Sequence, residues 1–315
     1  MEAELVCLGE ALVDLFAADG RRGPLEEVET FRRYLGGAPA NVAAAAARLG
    51  MRSAMIGCVG DDAFGRFLIR ALEREGVDCQ GIVCCEQRTP AAFVSLSEGG
   101  ERSFLFFREN TADTYLDAAV VRAQRGRVAA AKTLHLCTTS MSAGPATAGT
   151  KEAVAIAAAC GVDVAVDLNL RLHLWEDRDS AIDAARFLVE RATFVKADQQ
   201  EAAELTSVED PRQAARALIG IGARIAVVTC GSAGAHWATS RESGYQPAPS
   251  VDVVDATGAG DVFCAAFYFT VGRLREATAQ AVDRAVAAGC NAGAQACTAC
   301  GAVTAAPTVD QLPSA

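Results

Sequence analysis

Val162-Asp163-Val164-Ala165-Val166-Asp167 decides the fold. Four β-branched or small apolar residues closed by a carboxylate read as a buried strand ending at a polar edge. Strong helix formers occupy 146–159 before it and 180–191 after it. Strands at 193–197 and 225–229, with a helix at 211–219, continue the alternation, and 133–137 reads as an earlier strand. Near-continuous apolar strands separated by helices predict a mostly parallel sheet covered on both faces, an α/β fold. Ligands of such sheets collect beyond the strand C-termini. Asp14, Asp167, Asn169, Asp198, Gly231 and Asp261 can all be placed around that edge.

The N-terminal third adds a strand at Leu5–Leu8, with Gly9-Glu10 at its end, and a further apolar stretch at 11–16. A helix at 41–49 stops at Gly50, a strand follows at 53–59, and a helix at 63–75 stops at Gly76. Two β-favouring runs, 91–96 and 103–107, are joined by Ser97-Glu98-Gly99-Gly100-Glu101-Arg102, which suggests a hairpin. With residues 12–34 it is expected to form a small sheet over the main body. No flexible linker sets it apart, so we read one domain over 1–315 with an inserted lid at about 12–34 and 88–110.

The chain has 29 Lys and Arg against 39 Asp and Glu, a formal net charge of −10. Nucleic acid, which needs a concentrated positive field, is not an expected partner; a small anion in a local positive pocket is compatible. No basic segment followed by an apolar core opens the chain, and no apolar run of about 18 residues suggests a membrane span. The 12 cysteines lie mostly inside apolar patterns, which fits free thiols in the cytoplasm. Cys84-Cys85 and Cys297-x-x-Cys300 lack the second pair and the histidines of a structural zinc site.

The chemistry concentrates in Asp255-Ala256-Thr257-Gly258-Ala259-Gly260-Asp261, which runs directly into an apolar helix. Gly258 and Gly260 remove side-chain bulk and Ala259 adds only a methyl group, so the turn can offer backbone N–H groups to phosphate at a positive helix end. Asp261 there can take a proton from, or orient, an attacking alcohol. Local sequence also fits Asp261 as nothing more than a helix N-cap. Neither a Walker A loop nor a Gly-x-Gly-x-x-Gly loop after the first strand is present.

A second segment joins this one. Gly36-Gly37-Ala38-Pro39-Ala40-Asn41-Val42-Ala43, then Gly50 and Cys58-Val59-Gly60-Asp61-Asp62-Ala63-Phe64-Gly65, together with Asp255 to Asp261, resemble the two signatures of the ribokinase-like, PfkB-type carbohydrate kinases. The resemblance runs over nearly the full length, although Ala256 replaces the commoner Thr. It implies an ATP-dependent sugar kinase in which Asp261 is the catalytic base and Gly258, Ala259 and Gly260 form the phosphate cradle. Asp14, Gly36, Gly37 and Asn41 are implied as sugar contacts, though locally Asp14 and Asn41 also suit caps.

The family resemblance extends further along the chain. Arg108, in Phe104-Leu105-Phe106-Phe107-Arg108-Glu109-Asn110-Thr111, resembles the substrate-side arginine of bacterial fructokinases and some sugar-acid kinases, with Asn110-Thr111 departing from their usual form. Asp167-Leu168-Asn169-Leu170-Arg171-Leu172-His173-Leu174-Trp175 looks like the segment shared by fructokinases and 2-keto-3-deoxygluconate kinases. Asn169 and Arg171 are implied to orient acceptor or phosphate oxygens; His173 reads as a packing residue.

Lys196, Asp198 and Glu201 match the segment that organises hydrated Mg²⁺ and phosphate, Glu201 acting through water, with Asp198 departing from the usual Asn or Ser. Thr229, Gly231 and Gly234 resemble the ATP loop, and Asn291 a residue near the adenine pocket. Asp255, Thr257, Ala296, Ala299 and Gly301 are implied as surroundings of a K⁺ ion. The Leu-Trp ending favours a bacterial fructokinase acting on D-fructose. 2-Keto-3-deoxygluconate kinase stands next, then ribokinase and nucleoside kinase; an inactive sugar-sensing or scaffold protein is the reading from another class. A homodimer formed through the lid is also implied.

Overall fold

A computed structural model describes residues 3–18, 23–96 and 102–312. The elements in chain order begin with β1 (Leu5–Leu8), β2 (Leu12–Ala17), β3 (Phe31–Gly36), α1 (Ala38–Arg48), β4 (Ser53–Gly60), α2 (Ala63–Arg74), β5 (Asp78–Cys85), β6 (Ala91–Leu96) and β7 (Arg102–Phe107). They continue with α3 (Ala118–Ala123), α4 (Arg125–Ala130), β8 (Thr133–Cys137), α5 (Ala146–Cys160), β9 (Asp163–Asp167), α6 (Arg178–Val189), β10 (Phe194–Asp198) and α7 (Gln199–Thr206). The chain finishes with α8 (Pro211–Ile221), β11 (Ile225–Thr229), β12 (Ala235–Thr239), β13 (Ser243–Gln246), α9 (Ala259–Val271) and α10 (Ala279–Ala296).

The main sheet has the order β13-β12-β11-β10-β9-β8-β1-β4-β5. Its strands run parallel from β11 to β5, and an antiparallel hairpin of β12 and β13 closes one edge. β1, β4, β8 and β9 are buried along their whole length, as the apolar runs required. One core cluster lies under α1, α9 and α10, including Val42, Phe267 and Val286. The other lies under α5, α6 and α8, including Val154, Leu188 and Leu218. Both faces are therefore covered, and the open ends of the parallel strands form one edge.

The second sheet has the order β3-β2-β6-β7. Two antiparallel pairs, β2 with β3 and β6 with β7, meet through a parallel β2–β6 pairing. The expected pairing of 91–96 with 103–107 is present, while its Gly99-Gly100 connection lies outside the described residues. Alternation along β2 and β7 puts Asp14 and Phe106 on the side of the main sheet's strand ends.

The structure extends several expectations. α1 begins at Ala38 instead of 41, because Gly37 caps it at φ 94° and Pro39 sits in the first turn, where no backbone donor is needed. β5 and the β12–β13 hairpin were not anticipated. Both are edge elements with polar or glycine positions, so neither carries the unbroken apolar run of a central strand.

Candidate active site

The strand ends of the main sheet and the inner face of the small sheet enclose a cavity of about 500 Å³. Asp261 lies in the first turn of α9, whose N-cap, Gly258, has φ 77°. A Cβ at Gly258 would approach Ala302 Cα to 2.6 Å, so dihedral and space both call for glycine. Asp261 Oδ2 accepts a 2.8 Å hydrogen bond from Asn41 Nδ2, joining segments 220 residues apart. Burial first, and then the Asp167 carboxylate, push the Asp261 carboxyl up to about 7. A carboxyl so placed can exchange a proton near neutrality at a helix mouth that favours anions.

Lys196 and Asp167 form a buried ion pair behind this mouth, Nζ lying 2.8 and 2.9 Å from the two carboxylate oxygens. Burial opposes the Lys196 charge, but Asp167 outweighs it and raises its pKa. A Cβ on Gly260 would stand 2.8 Å from Lys196 Nζ, so glycine lets the ammonium back the turn directly. Asp198 caps α7 through a reciprocal box: its side chain accepts from Glu201 N, and Glu201 Oε2 accepts from Asp198 N. Glu201 Oε1 accepts from Leu170 N at 2.9 Å, and burial raises the Glu201 carboxyl to about 7. Arg171 Nη1 stands 3.9 Å from Glu201 Oε1 and is half exposed to the cavity. Asn169 lines the cavity with a positive φ of 39°.

On the small-sheet side, Asp14, Gly37 and Arg108 line the cavity. Gly36 does not line it; it lies directly against the Asp14 carboxylate, where a Cβ would collide. Its absent side chain makes room for Asp14. Burial, followed by Asp255 and Asp261, pushes the Asp14 carboxyl well above its usual range. Arg108 donates Nε to Asp113 at 2.6 Å, Nη1 to Ser142 Oγ and Nη2 to the Thr139 carbonyl. Asp113 is thus a holding partner that the sequence reading passed over.

Thr229, Gly231 and Gly234 line the opposite end, where residues 248–251 and Val253 join them. The α10 wall is made by Gly289, Cys290, Gly293 and Ala294, with Cys297 at the helix C-cap, a face repeating every three to four residues. Asn291 falls off that face: its Nδ2 donates 2.8 Å to the Ala287 carbonyl of its own helix, and it does not line the cavity. The 3.6-residue period, counted from Gly289, would have shown this. Asp255 ties two loops together, accepting from Thr257 N and Oγ1 and from Gly301 N. Asp255, Ala296, Ala299 and Gly301 stand behind the cavity, while Thr257 lines it.

A phosphate-compatible helix mouth, a carboxyl titrating near neutrality and a polar sheet facing both across one cavity make the architecture of a phosphotransferase acting on a polar acceptor. A family model described as pfkB family carbohydrate kinase matches residues 2–309, and the chain belongs to that family. It is 36% identical to a fructokinase of Klebsiella pneumoniae over 317 residues, covering 99% of each chain. To probable fructokinase-5 of Arabidopsis thaliana it is 35% identical, over 85% of this chain and 83% of the relative. A crystal structure of a fructokinase double mutant from Vibrio cholerae O395, in a form with fructose, ADP and potassium ion bound, superposes with a TM-score of 0.85 at 32% identity. That match covers 98% of this chain and 97% of the other. The fold is ribokinase-like, and the protein is a carbohydrate kinase.

Proposed function

We propose that the protein transfers the γ-phosphoryl group of ATP to O6 of D-fructose, giving D-fructose 6-phosphate. The observation that carries this reading is Asp261, buried at the mouth of α9 with a carboxyl near 7 and bonded to Asn41 in the first turns of the neighbouring α1. The fructokinase relatives, matched over most of the chain, supply the sugar. Asp14, Gly37, Asn41, Arg108 and Asn169 hold the sugar. Thr229, Gly231 and Gly234 receive the nucleotide, with the small face of α10 beside it.

Asp261 accepts the proton of the attacking hydroxyl, and the backbone of residues 258–260 stabilises charge gathering on the phosphate oxygens. Arg171 adds positive charge from the half-exposed side. Mg²⁺ neutralises phosphate charge when bound. Both Glu201 oxygens already accept backbone N–H groups, and no cluster of three or more metal-ligating side chains exists among the described residues. These residues fit a hydrated ion held through water by Glu201 and Asp198. Asp255 is 1% exposed and makes no ion pair among the described residues, so the loops around it fit a K⁺ ion held by backbone carbonyls. That ion would add positive charge behind the helix mouth.

We assign the small sheet the role of a lid over the sugar and of a homodimer interface. No helix is long and apolar enough to cross a membrane among the described residues, and none of the twelve cysteines is joined in a disulfide. Both fit work in the cytoplasm, where ATP is supplied. A panel of sugars with ATP and Mg²⁺, followed by analysis of the product's phosphate position, tests the reading. Turnover of 2-keto-3-deoxygluconate with negligible turnover of fructose would replace the substrate.

A further inference from the structure

Glu10 follows β1 at the sheet edge and lines the cavity, yet it belongs to none of the groups placed above. It is 5% exposed. Its Oε1 accepts a 2.9 Å hydrogen bond from Thr139 Oγ1, whereas Oε2 is buried with no hydrogen-bond partner among the described residues. A buried carboxyl oxygen without a partner is costly, and native proteins keep such groups where something else satisfies them. Asn41 Oδ1 is the other orphaned polar atom among cavity-lining side chains, and Asn41 is already assigned to the sugar.

Arg108 does not fill the gap. Its Nε and both terminal nitrogens are directed to Asp113, Ser142 and Thr139 instead. Burial raises the Glu10 carboxyl, and the nearby Arg108 charge only partly offsets this. A neutral acid can donate as well as accept, which a sugar hydroxyl satisfies and a bare carboxylate matches only by accepting. The backbone is fixed as well: a Cβ on Gly37 would lie 2.6 Å from the Glu10 carbonyl oxygen, so Gly37 and Glu10 pack as one unit.

We propose that Glu10 is a specificity-determining residue whose Oε2 hydrogen-bonds one hydroxyl of the bound sugar. This rests on the sugar-kinase reading of the same cavity. Its consequence is selectivity, because a site built around a hydroxyl leaves Glu10 unpaired when a deoxy analogue binds.

The experiment is a cycle between protein and ligand. Wild type, Glu10→Gln and Glu10→Leu are assayed on D-fructose and on its 1-, 3- and 4-deoxy analogues, with the KM for ATP followed throughout. In wild type, one analogue is expected to lose about ten- to a hundredfold in kcat/KM through an unmatched partner. Glu10→Leu is expected to lose a similar factor on fructose and to show no further loss on that same analogue. Glu10→Gln, which keeps a donor and an acceptor, recovers most of the discrimination, and the KM for ATP stays within twofold in all three. If Glu10→Leu discriminates among the analogues as wild type does, the proposal is wrong. Should wild type fail on fructose, the functional reading falls separately. The cycle is then run on the deoxy forms of the sugar that does turn over, and unchanged discrimination there overturns the Glu10 contact.

Discussion

Asn41 Nδ2 lies 2.8 Å from Asp261 Oδ2, so the residue at the start of α1 holds the carboxyl at the mouth of α9. The bond fixes which oxygen of Asp261 remains open to the cavity. Asp261→Asn keeps the shape and the partner but removes the base. It is expected to lower kcat by about a hundred- to ten-thousandfold with sugar and ATP binding retained. Turnover near the wild-type value, with both ligands bound, would remove Asp261 from that role.

The same carboxyl sets two pH trends of opposite sign. Its pKa rises from 3.8 to about 7 on folding. As a base it works ionised, so kcat/KM should climb as pH rises through about 7. For stability, folded and unfolded chains both hold the proton below 3.8, and the group contributes nothing there. Between 3.8 and about 7 the unfolded chain releases a proton that the folded chain keeps, so folding becomes progressively less favourable as pH rises. Asp261→Asn should therefore raise the melting temperature of the ligand-free protein at pH 8 and leave it unchanged at pH 3. A variant destabilised at pH 8 would contradict the burial cost assigned to this group.

Lys196 and Asp167 behave as a unit. Lys196→Met leaves a carboxylate that is 2% exposed without its cation and should cost about 3–5 kcal/mol in urea unfolding. Removing both charges with Lys196→Met and Asp167→Leu should recover most of that loss. If the double variant is as unstable as the single one, the penalty comes from packing and not from the unpaired charge.

How much of this was legible beforehand depended on whether the signal was local. The run Val164 to Val166 announced a central parallel strand because both faces of it are buried. Gly258 and Asp261 could be placed at a helix mouth because glycine and a carboxylate have few other reasons to stand together there. Glu10 and Asp113 were invisible in this sense. Each is defined by a partner far along the chain or close in space, Thr139 for the one and Arg108 for the other, and a single acidic residue in a loop predicts neither. Asn291 shows the reverse case: its residue type suited an adenine site, while in the structure its side chain bonds the Ala287 carbonyl and does not line the cavity.

Gly258 and Gly272 flank the same helix and both have φ between 70° and 80°, but Gly258 has ψ −3°, in the left-handed region, and Gly272 has ψ −96°, outside it. Gly272→Ala adds a Cβ into open space, so only dihedral strain acts there. Gly258→Ala adds about 1 kcal/mol of left-handed strain and a collision with Ala302 as well. Both variants should lose stability, but kcat should fall only in Gly258→Ala, because the turn that presents the backbone donors shifts. An unchanged kcat in Gly258→Ala would mean that the turn tolerates displacement.

The outward face of the small sheet carries the last prediction. Register places Leu15, Phe93 and Leu105 side by side, with Phe107 opposite Ala91 on the same face. Leu105 is 51% exposed and Phe107 56%. Phe31 and Phe107 each stack edge-on against Phe93, so the exposed rings belong to one apolar patch instead of standing singly. A patch of this kind on an open-edged sheet invites a second copy, and a two-fold pairing would bury it symmetrically. Phe106, between them, lines the cavity, so pairing on one side steadies the wall facing the sugar. Sedimentation should give a dimer for the wild type and a monomer for Leu105→Glu with Phe107→Glu. The monomer should show a raised KM for the sugar with the KM for ATP nearly unchanged. A charged variant that still sediments as a dimer would place the interface elsewhere on the protein.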